Sequence, residues 1–134
     1  MRESKKSATG IAHPNIAFIK YWGDQDPCLR IPANGSLSMN LQGLHTRTQV
    51  CFDPDLASDK LTVNAQPVTG TGLGRVSDTL SCVRELAGLR LFAAVESSSN
   101  FPIGAGIASS ASAFAALSLA ASTAAGLQLS EREL

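Results

Sequence analysis

A glycine-containing loop followed by an alanine-rich helix is the stretch of this sequence best suited to chemistry. Residues Asn100–Ala108 contain Pro102 and two glycines among small side chains, which predicts a tight loop with accessible backbone. The segment Ala111–Ala125 consists of alanine, leucine, phenylalanine, serine and threonine, and we predict a buried helix that ends at Gly126. The first turn of this helix contains Ser109, Ser110 and Ser112. Since a helix N-terminus carries unpaired N–H groups and partial positive charge, this end suits a phosphate, and a serine hydroxyl there could also bind Mg²⁺.

The same residues also have a purely structural explanation. Glycine before an alanine-rich helix can simply allow close packing, and serine is a common helix cap. The loop lacks the lysine that follows the glycines in the Walker sequence, and the spacing of Gly104 and Gly106 does not continue into a dinucleotide-binding pattern. Composition and spacing therefore leave phosphate binding and close packing both open.

A second candidate site lies at Lys20–Gly23, a segment that holds the only tyrosine and the only tryptophan of the chain. A lysine beside two amphipathic aromatic side chains suits the wall of a ligand pocket. A strand end whose aromatic side chains cover the core explains these residues equally well. The following residues, Asp24, Asp26 and Pro27, are typical of a turn.

The hydrophobic pattern predicts the elements that must position these residues. Because proline has no N–H for a continuous ladder, Pro14 predicts that Ala8–Lys20 forms either two short strands meeting at a bend or an edge strand. We expect a half-buried strand at Ser36–Leu41 that pairs antiparallel with the β-rich segment His45–Phe52. Further predicted elements are a strand at Lys60–Asn64, a loop with three glycines at Gln66–Gly74, an amphipathic helix at Arg75–Leu89 closed by Gly88, and a strand at Leu91–Glu96. This order predicts an α+β fold in which a mostly antiparallel sheet packs against helices.

Length and charge limit the classes of function. The chain has 134 residues, 44% of them hydrophobic, and a formal net charge of zero. That length supports one domain with a core, and the charge balance predicts neither a nucleic acid nor a membrane as partner. The cysteines are widely spaced and without a C-x-x-C pair, which predicts reduced thiols in a cytoplasmic protein; they are Cys28, Cys51 and Cys82.

Three separated stretches resemble one family. His13–Gly23, H-P-N-I-A-F-I-K-Y-W-G, resembles the N-terminal signature of the diphosphomevalonate decarboxylases. Ile31–Leu41, I-P-A-N-G-S-L-S-M-N-L, resembles the next block of that family. Asn100–Leu117, N-F-P-I-G-A-G-I-A-S-S-A-S-A-F-A-A-L, resembles its phosphate loop, the second motif of the GHMP kinase superfamily. The combination covers most of the chain and is highly specific.

The resemblance implies a fold and a reaction. The fold would be the GHMP kinase N-terminal domain, which is like the second domain of ribosomal protein S5. The activity would be an ATP-dependent carboxy-lyase of the mevalonate pathway of isoprenoid, and hence lipid, biosynthesis. ATP would phosphorylate the 3-hydroxyl of mevalonate 5-diphosphate, and loss of that phosphate with CO₂ would give isopentenyl diphosphate. ATP and Mg²⁺ are the implied cofactors, and a homodimer is the implied state of the full-length enzyme.

The resemblance also implies roles for individual residues. Lys20 would supply positive charge near the reacting centre, and it would line the substrate pocket with Asn15, Tyr21 and Trp22. Ser110 would lie nearest to Mg²⁺. The residues implied to bind ATP and its phosphates are Ser97, Gly104, Ala105, Gly106, Ile107, Ala108, Ser109, Ser110 and Ser112. The catalytic aspartate of the family would lie beyond Leu134.

One departure from the family keeps the substrate open. The family carries a basic pair after K-Y-W-G, whereas this chain has Asp24 and Gln25. A carboxylate near a phosphate-binding pocket should weaken binding of a diphosphate, so a phosphomevalonate decarboxylase that makes isopentenyl phosphate is an alternative. A mevalonate-type kinase without decarboxylation and an inactive nucleotide-binding fragment are further alternatives.

The end of the sequence predicts how much of the enzyme this chain represents. Ser130–Glu133 has the pattern of a capping box, which would start another helix. We therefore expect residues 1–134 to be a truncated, ATP-binding N-terminal domain with the C-terminal domain absent. We expect this fragment to be inactive by itself.

Overall fold

The computed structural model describes residues 4–20, 22–29, 31–102, 109–130 and 132–134. Its helices are α1 (Thr71–Ala87) and α2 (Ser109–Ala125). The strands are β1 (Lys6–Ala12), β2 (Asn15–Ile19), β3 (Asp24–Asp26), β4 (Ile31–Pro32), β5 (Leu37–Asn40), β6 (Thr46–Asp53), β7 (Lys60–Val63), β8 (Gln66–Val68) and β9 (Phe92–Ser99). The fold is α+β, as the sequence predicts.

The central element is a five-stranded sheet in the order β1-β6-β9-β7-β8. Its pairs are antiparallel except for β7 and β9, which run parallel. Strand β6 alternates buried and more exposed residues, with Thr46, Thr48, Val50 and Phe52 pointing toward the core. Because side chains on a strand alternate between faces, this pattern commits one face of the sheet to the helices.

Helices α1 and α2 supply the apolar side chains that complete the core. The buried stripe of α1 consists of Val76, Leu80 and Val83. Helix α2 is more apolar, and its core residues are Ala116, Leu117, Ala120, Ala121 and Ala124. Small side chains let α2 approach β1 so closely that a Cβ atom on Gly10 would collide with the carbonyl oxygen of Ala116. The small residues of this helix are therefore explained by packing against the sheet.

Both helices end where the glycines predict. Gly88 has φ 61°, and the N–H of Leu89 donates to the carbonyl of Arg84 over 2.9 Å. Gly126 has φ 85°, and the N–H of Leu127 donates to the carbonyl of Ser122 over 2.9 Å. These are left-handed helix ends of the kind that glycine favours.

One of the two hydrogen bonds of the predicted capping box is present, and the described residues 132 and 133 form a turn. The carboxylate of Glu133 accepts hydrogen bonds from the backbone N–H of Ser130, at 2.8 Å, and from the Ser130 hydroxyl, at 2.7 Å. Both bonds hold the pKa of Glu133 below its usual value, and the bond from the backbone N–H has the larger effect.

The predicted pairing of the segments Ser36–Leu41 and His45–Phe52 is wrong. Strand β6 lies between β1 and β9, whereas β5 pairs with β2 in a separate two-stranded sheet. The physical reason is burial: β6 fills the centre of the core, and all four residues of β5 are exposed. The prediction that β5 is half-buried is therefore wrong as well.

The segment Gln66–Gly74 contains more regular structure than the predicted loop. Its first residues form β8, which pairs with β7, and its last residues are the first turn of α1. The first turn of α1 contains two glycines, which add nothing to a hydrophobic pattern. The pattern of hydrophobic residues therefore predicts a helix start at Arg75, four residues later than the observed start at Thr71. The predicted bend at Pro14, between β1 and β2, is confirmed.

A buried ion pair fastens α1 to the sheet. Both carboxylate oxygens of Asp59 accept hydrogen bonds from Arg84, at 2.9 and 3.1 Å. Asp59 also accepts a hydrogen bond from the backbone N–H of Ala93 at the start of β9. One carboxylate thereby ties the C-terminal half of α1 to the segment before β7 and to β9.

No helix within the described ranges is long and apolar enough to cross a membrane.

Candidate functional site

A cavity of about 270 Å³ opens between the sheet and the N-terminal parts of α1 and α2. Its lining is mostly apolar and comes from β6, β7, β8, β9 and both helices. The apolar lining residues include Leu61, Val63, Val68, Val76, Val95, Ala113, Phe114 and Leu117. A mostly apolar cavity of this composition suits a flat, weakly polar group such as a nucleobase.

Hydroxyl groups occupy the side of the cavity that faces the start of α2. Thr48 and Ser97 are partners across β6 and β9, and their hydroxyl oxygens lie 2.9 Å apart. Ser99 lies one step further along the same face, where its hydroxyl is 2.9 Å from that of Thr46. The remaining hydroxyl residues of the lining are Ser109 and Ser110. The cavity therefore combines an apolar interior with a polar edge at a helix N-terminus.

The serines at the start of α2 differ in their environments. Ser109 is half-buried and Ser110 is exposed, and both line the cavity. Among the described residues, neither hydroxyl has a hydrogen-bond partner. Ser112 is 1% exposed, and its hydroxyl lies 2.9 Å from the Thr46 hydroxyl and 3.0 Å from the carbonyl of Ser109. Ser109 and Ser110 are thus available to a ligand, whereas the Ser112 hydroxyl is used within the protein.

Asn100 fixes the beginning of the predicted phosphate loop. Its side-chain oxygen accepts a hydrogen bond from the N–H of His45 at 2.7 Å, and its side-chain nitrogen donates to the carbonyl of Gly43 at 2.8 Å. Its own N–H donates to the carbonyl of His45 at 3.2 Å. Five of the residues predicted to bind ATP, Gly104, Ala105, Gly106, Ile107 and Ala108, lie outside the described residues, as does Tyr21.

A second cavity of about 240 Å³ lies on the β2–β5 sheet. Lys20 and Asn15, both predicted to bind substrate, line it with Ala17, Ser36 and Ser38. Lys20 is exposed, and its carbonyl accepts a hydrogen bond from the Asn34 side chain at 3.2 Å. The structure thus brings a lysine, an asparagine amide and two serine hydroxyls to one small polar cavity.

Trp22 does not line either cavity and is 87% exposed. The backbone N–H of Trp22 donates to the side-chain oxygen of Asn34 at 3.3 Å, and Asn34 thereby bonds to the backbone of both Lys20 and Trp22. Asp24 is half-buried in β3, opposite Pro32 of β4. The described part of the chain contains no group of three or more His, Cys, Asp or Glu residues arranged to hold a metal ion.

Sequence reasoning missed several lining residues. Ser36 and Ser38 alternate with Leu37 and Met39, a pattern that indicates one polar strand face but does not say what faces it. The other missed residues of the larger cavity include Thr48, Arg75, Ser99 and Phe114. Nothing local in the sequence predicts their meeting, because strand pairing and helix packing bring them together from distant segments.

Comparison with known proteins identifies the family. The model of the diphosphomevalonate decarboxylase-like N-terminal domain matches residues 12–134. The chain belongs to this family. The resemblance carried by the three sequence stretches is therefore confirmed, and with it the GHMP kinase N-terminal fold.

Curated relatives include enzymes named for two different substrates. The phosphomevalonate decarboxylase of Haloferax volcanii is 38% identical over 127 residues, covering 95% of this chain and 39% of that protein. The diphosphomevalonate decarboxylase of Eremothecium gossypii is 37% identical over 137 residues, covering 90% of this chain and 34% of that protein. The chain thus spans at most about two fifths of the length of these relatives.

Solved structures agree with the family. The mevalonate diphosphate decarboxylase of Staphylococcus aureus has 43% sequence identity and a TM-score of 0.85, covering 95% of this chain and 38% of that one. The protein MDDEF, in complex with MVAPP, AMPPCP and magnesium, has 40% identity and a TM-score of 0.83, with 95% and 39% covered. Structures similar to this chain therefore include a complex with an ATP analogue and magnesium.

Proposed function

We propose that this chain supplies the ATP-binding part of an enzyme that decarboxylates mevalonate 5-diphosphate to isopentenyl diphosphate. The observation that carries the proposal is the larger cavity, which joins an apolar interior to Ser109 and Ser110 at the N-terminus of α2. The apolar part suits the base of ATP, and the helix start suits its phosphates. Family membership and the complex of MDDEF with AMPPCP and magnesium support this assignment.

In this proposal, the chain's own residues position and stabilise the transferred phosphoryl group. Ser109, Ser110 and the backbone of residues 104–108 donate to the ATP phosphates, and Ser97 contacts the nucleotide from β9. Fixed donors of this kind stabilise charge that develops during phosphoryl transfer to the 3-hydroxyl of the substrate. Ser112 supports the helix start through Thr46, since its hydroxyl already bonds within the protein.

The residues at the start of α2 fit a magnesium ion in one respect. Mg²⁺ prefers oxygen ligands and usually keeps several waters and substrate phosphates in its coordination shell. Ser110 offers one exposed hydroxyl oxygen beside the proposed phosphate position. When bound, the ion would neutralise charge on the phosphates.

The smaller cavity is the proposed site for the phosphorylated mevalonate substrate. Lys20 offers positive charge to the substrate, while Asn15 and the serines Ser36 and Ser38 offer hydrogen bonds. Tyr21 and Trp22 remain proposed pocket residues. In this proposal, residues 1–134 are the N-terminal domain of a longer, cytoplasmic and homodimeric enzyme. The fragment formed by these residues is inactive alone.

A phosphomevalonate decarboxylase is the second candidate. It is favoured by the Haloferax volcanii relative, which is named for that activity, and by the negative charge of Asp24 close to Lys20 in the sequence. The remaining candidates are a kinase without decarboxylation and a nucleotide-binding protein without activity.

The experiment that tests the proposal measures ATP-dependent CO₂ release by the full-length protein, with mevalonate 5-diphosphate and mevalonate 5-phosphate assayed in parallel. We expect CO₂ and ADP in equal amounts from the diphosphate. Release from the monophosphate alone would establish the second candidate. ADP without CO₂ would identify a kinase. The absence of both products would show that the protein is not an enzyme of this class.

A further inference from the structure

Arg75 and Phe114 form a cation–aromatic pair at the larger cavity. The guanidinium carbon of Arg75, in the second turn of α1, lies 4.8 Å from the centre of the Phe114 ring in α2. Both side chains line the cavity, together with Ser109 and Ser110. The pair thus forms part of the wall of a cavity that also contains the hydroxyls of Ser109 and Ser110.

The charge of Arg75 is not neutralised within the described ranges, where no carboxylate forms an ion pair with it. Arg84, on the same helix, provides the contrast, because both of its terminal nitrogens bond to Asp59. Arg75 is also exposed, whereas Arg84 is partly buried. An arginine on a cavity wall, packed on an aromatic ring but without an anion, retains donors for a ligand.

Contact with Phe114 leaves those donors available. A guanidinium group carries five N–H donors in a planar fork, and packing on the Phe114 ring uses none of them in a conventional hydrogen bond. Paired N–H donors match the oxygens of a phosphate, and such charge-assisted hydrogen bonds are among the stronger ones. The apolar lining residues of the cavity offer no acceptor for these N–H donors.

We propose that Arg75 is a further nucleotide-binding residue, which donates to the phosphate chain while Phe114 holds its guanidinium plane. This inference rests on the proposed function of the cavity as an ATP site. Arg75 binds the nucleotide directly, and Phe114 is a positioning residue. Arg75 lines the same cavity as Ser109 and Ser110 and adds the positive charge that these neutral hydroxyls lack.

The test compares nucleotide affinities of the full-length protein and its Arg75→Met variant by calorimetry or competition, using ATP, ADP, AMP and adenosine. We expect the variant to bind ATP about 10- to 100-fold more weakly, as the loss of a charge-assisted phosphate contact predicts. The loss should decrease with each phosphate removed and be within about twofold for adenosine. It should also shrink at high salt, because screening weakens a charge–phosphate contact.

Matched variants separate this role from general effects. Arg90→Met removes the same charge from an exposed residue that does not line the cavity, and ATP affinity should not change. Arg75→Lys keeps the charge but loses the planar fork, so its ATP affinity should be intermediate. Phe114→Leu should weaken ATP binding more than adenosine binding, with the melting temperature measured in parallel.

Two results would overturn the inference while the ATP site stands. One is unchanged ATP affinity in Arg75→Met. The other is an equal loss of affinity for ATP and adenosine, which would mean that Arg75 contacts the base or only contributes to the shape of the cavity. If the unaltered protein binds no ATP, the proposed function itself is wrong and this inference falls with it.

Discussion

The hydroxyl of Ser112, in the first turn of α2, lies 2.9 Å from the hydroxyl of Thr46 at the start of β6. Both residues are about 1% exposed, so the contact is inside the protein. Thr46 also lies 2.9 Å from the Ser99 hydroxyl on β9. This arrangement joins the beginning of α2 to two central strands, and it fixes the helix end that carries Ser109 and Ser110.

We predict that Thr46→Val weakens both folding and nucleotide binding. Valine has nearly the shape of threonine but makes no hydrogen bond, so the Ser112 hydroxyl keeps only the Ser109 carbonyl and the half-buried Ser99 hydroxyl loses Thr46, at a cost of about 1 kcal/mol. Urea unfolding of the full-length protein measures the free energy, and ATP titration measures the binding. The double variant Thr46→Val/Ser112→Ala should lose less free energy than the sum of the two single variants, because each single change already removes the contact between the two hydroxyls. Equal, additive losses would contradict a direct contact.

We predict a larger loss of stability from breaking the buried pair of Asp59 and Arg84. Asp59→Ala leaves the Arg84 charge and the N–H of Ala93 without their partner, and such changes typically cost about 3 kcal/mol or more. Asp78→Ala, which removes an exposed carboxylate from α1, should change the free energy of unfolding very little. Replacing both partners, as Asp59→Leu/Arg84→Met, should be less harmful than Asp59→Ala. A loss for Asp59→Ala no greater than that for Asp78→Ala would rule out a structural role for the pair.

The sequence predicts the parts of this fold that depend on neighbouring residues. The ends of α1 and α2 follow from Gly88 and Gly126, and the bend between β1 and β2 follows from Pro14. The pairing partners of β6 could not be predicted in this way, because β1 and β9 are distant in sequence and no turn signal identifies them. The short connection between β5 and β6 suggests a hairpin, but the structure buries β6 and exposes β5.

The candidate site divides in the same way. Ser109, Ser110 and Lys20 lie in recognisable motifs. In the structure, the two serines line the larger cavity and Lys20 lines the smaller one. Arg75 meets Phe114 only because α1 and α2 pack on the same face of the sheet. Contacts of this kind depend on the whole packing arrangement, which no local pattern encodes.

We predict that Ser110→Ala strongly lowers turnover in the full-length protein without changing its stability. Ser110 is exposed, and among the described residues its hydroxyl bonds to nothing, so its removal should not affect packing. If the hydroxyl contacts the ATP phosphates or Mg²⁺ during transfer, kcat should fall by about 10- to 100-fold. Ser118→Ala is the matched control, since Ser118 lies about two turns further along α2 and lines neither cavity. Unchanged kinetics in Ser110→Ala would remove this residue from the site.

We predict that Asp24→Lys shifts substrate preference toward the diphosphate. Asp24 is half-buried in β3, and replacing its charge adds two positive units four residues after Lys20, which lines the smaller cavity. A diphosphate carries more negative charge than a monophosphate and gains more from this change, and we expect the ratio of kcat/KM values to rise roughly three- to tenfold. The control Glu85→Lys makes the same change of charge on the exposed face of α1 near Gly88, and the ratio should stay constant. Because a general effect of net charge would move both variants alike, a shift in Asp24→Lys alone assigns selectivity to this position. No shift in either variant would mean that Asp24 does not influence which phosphate chain binds.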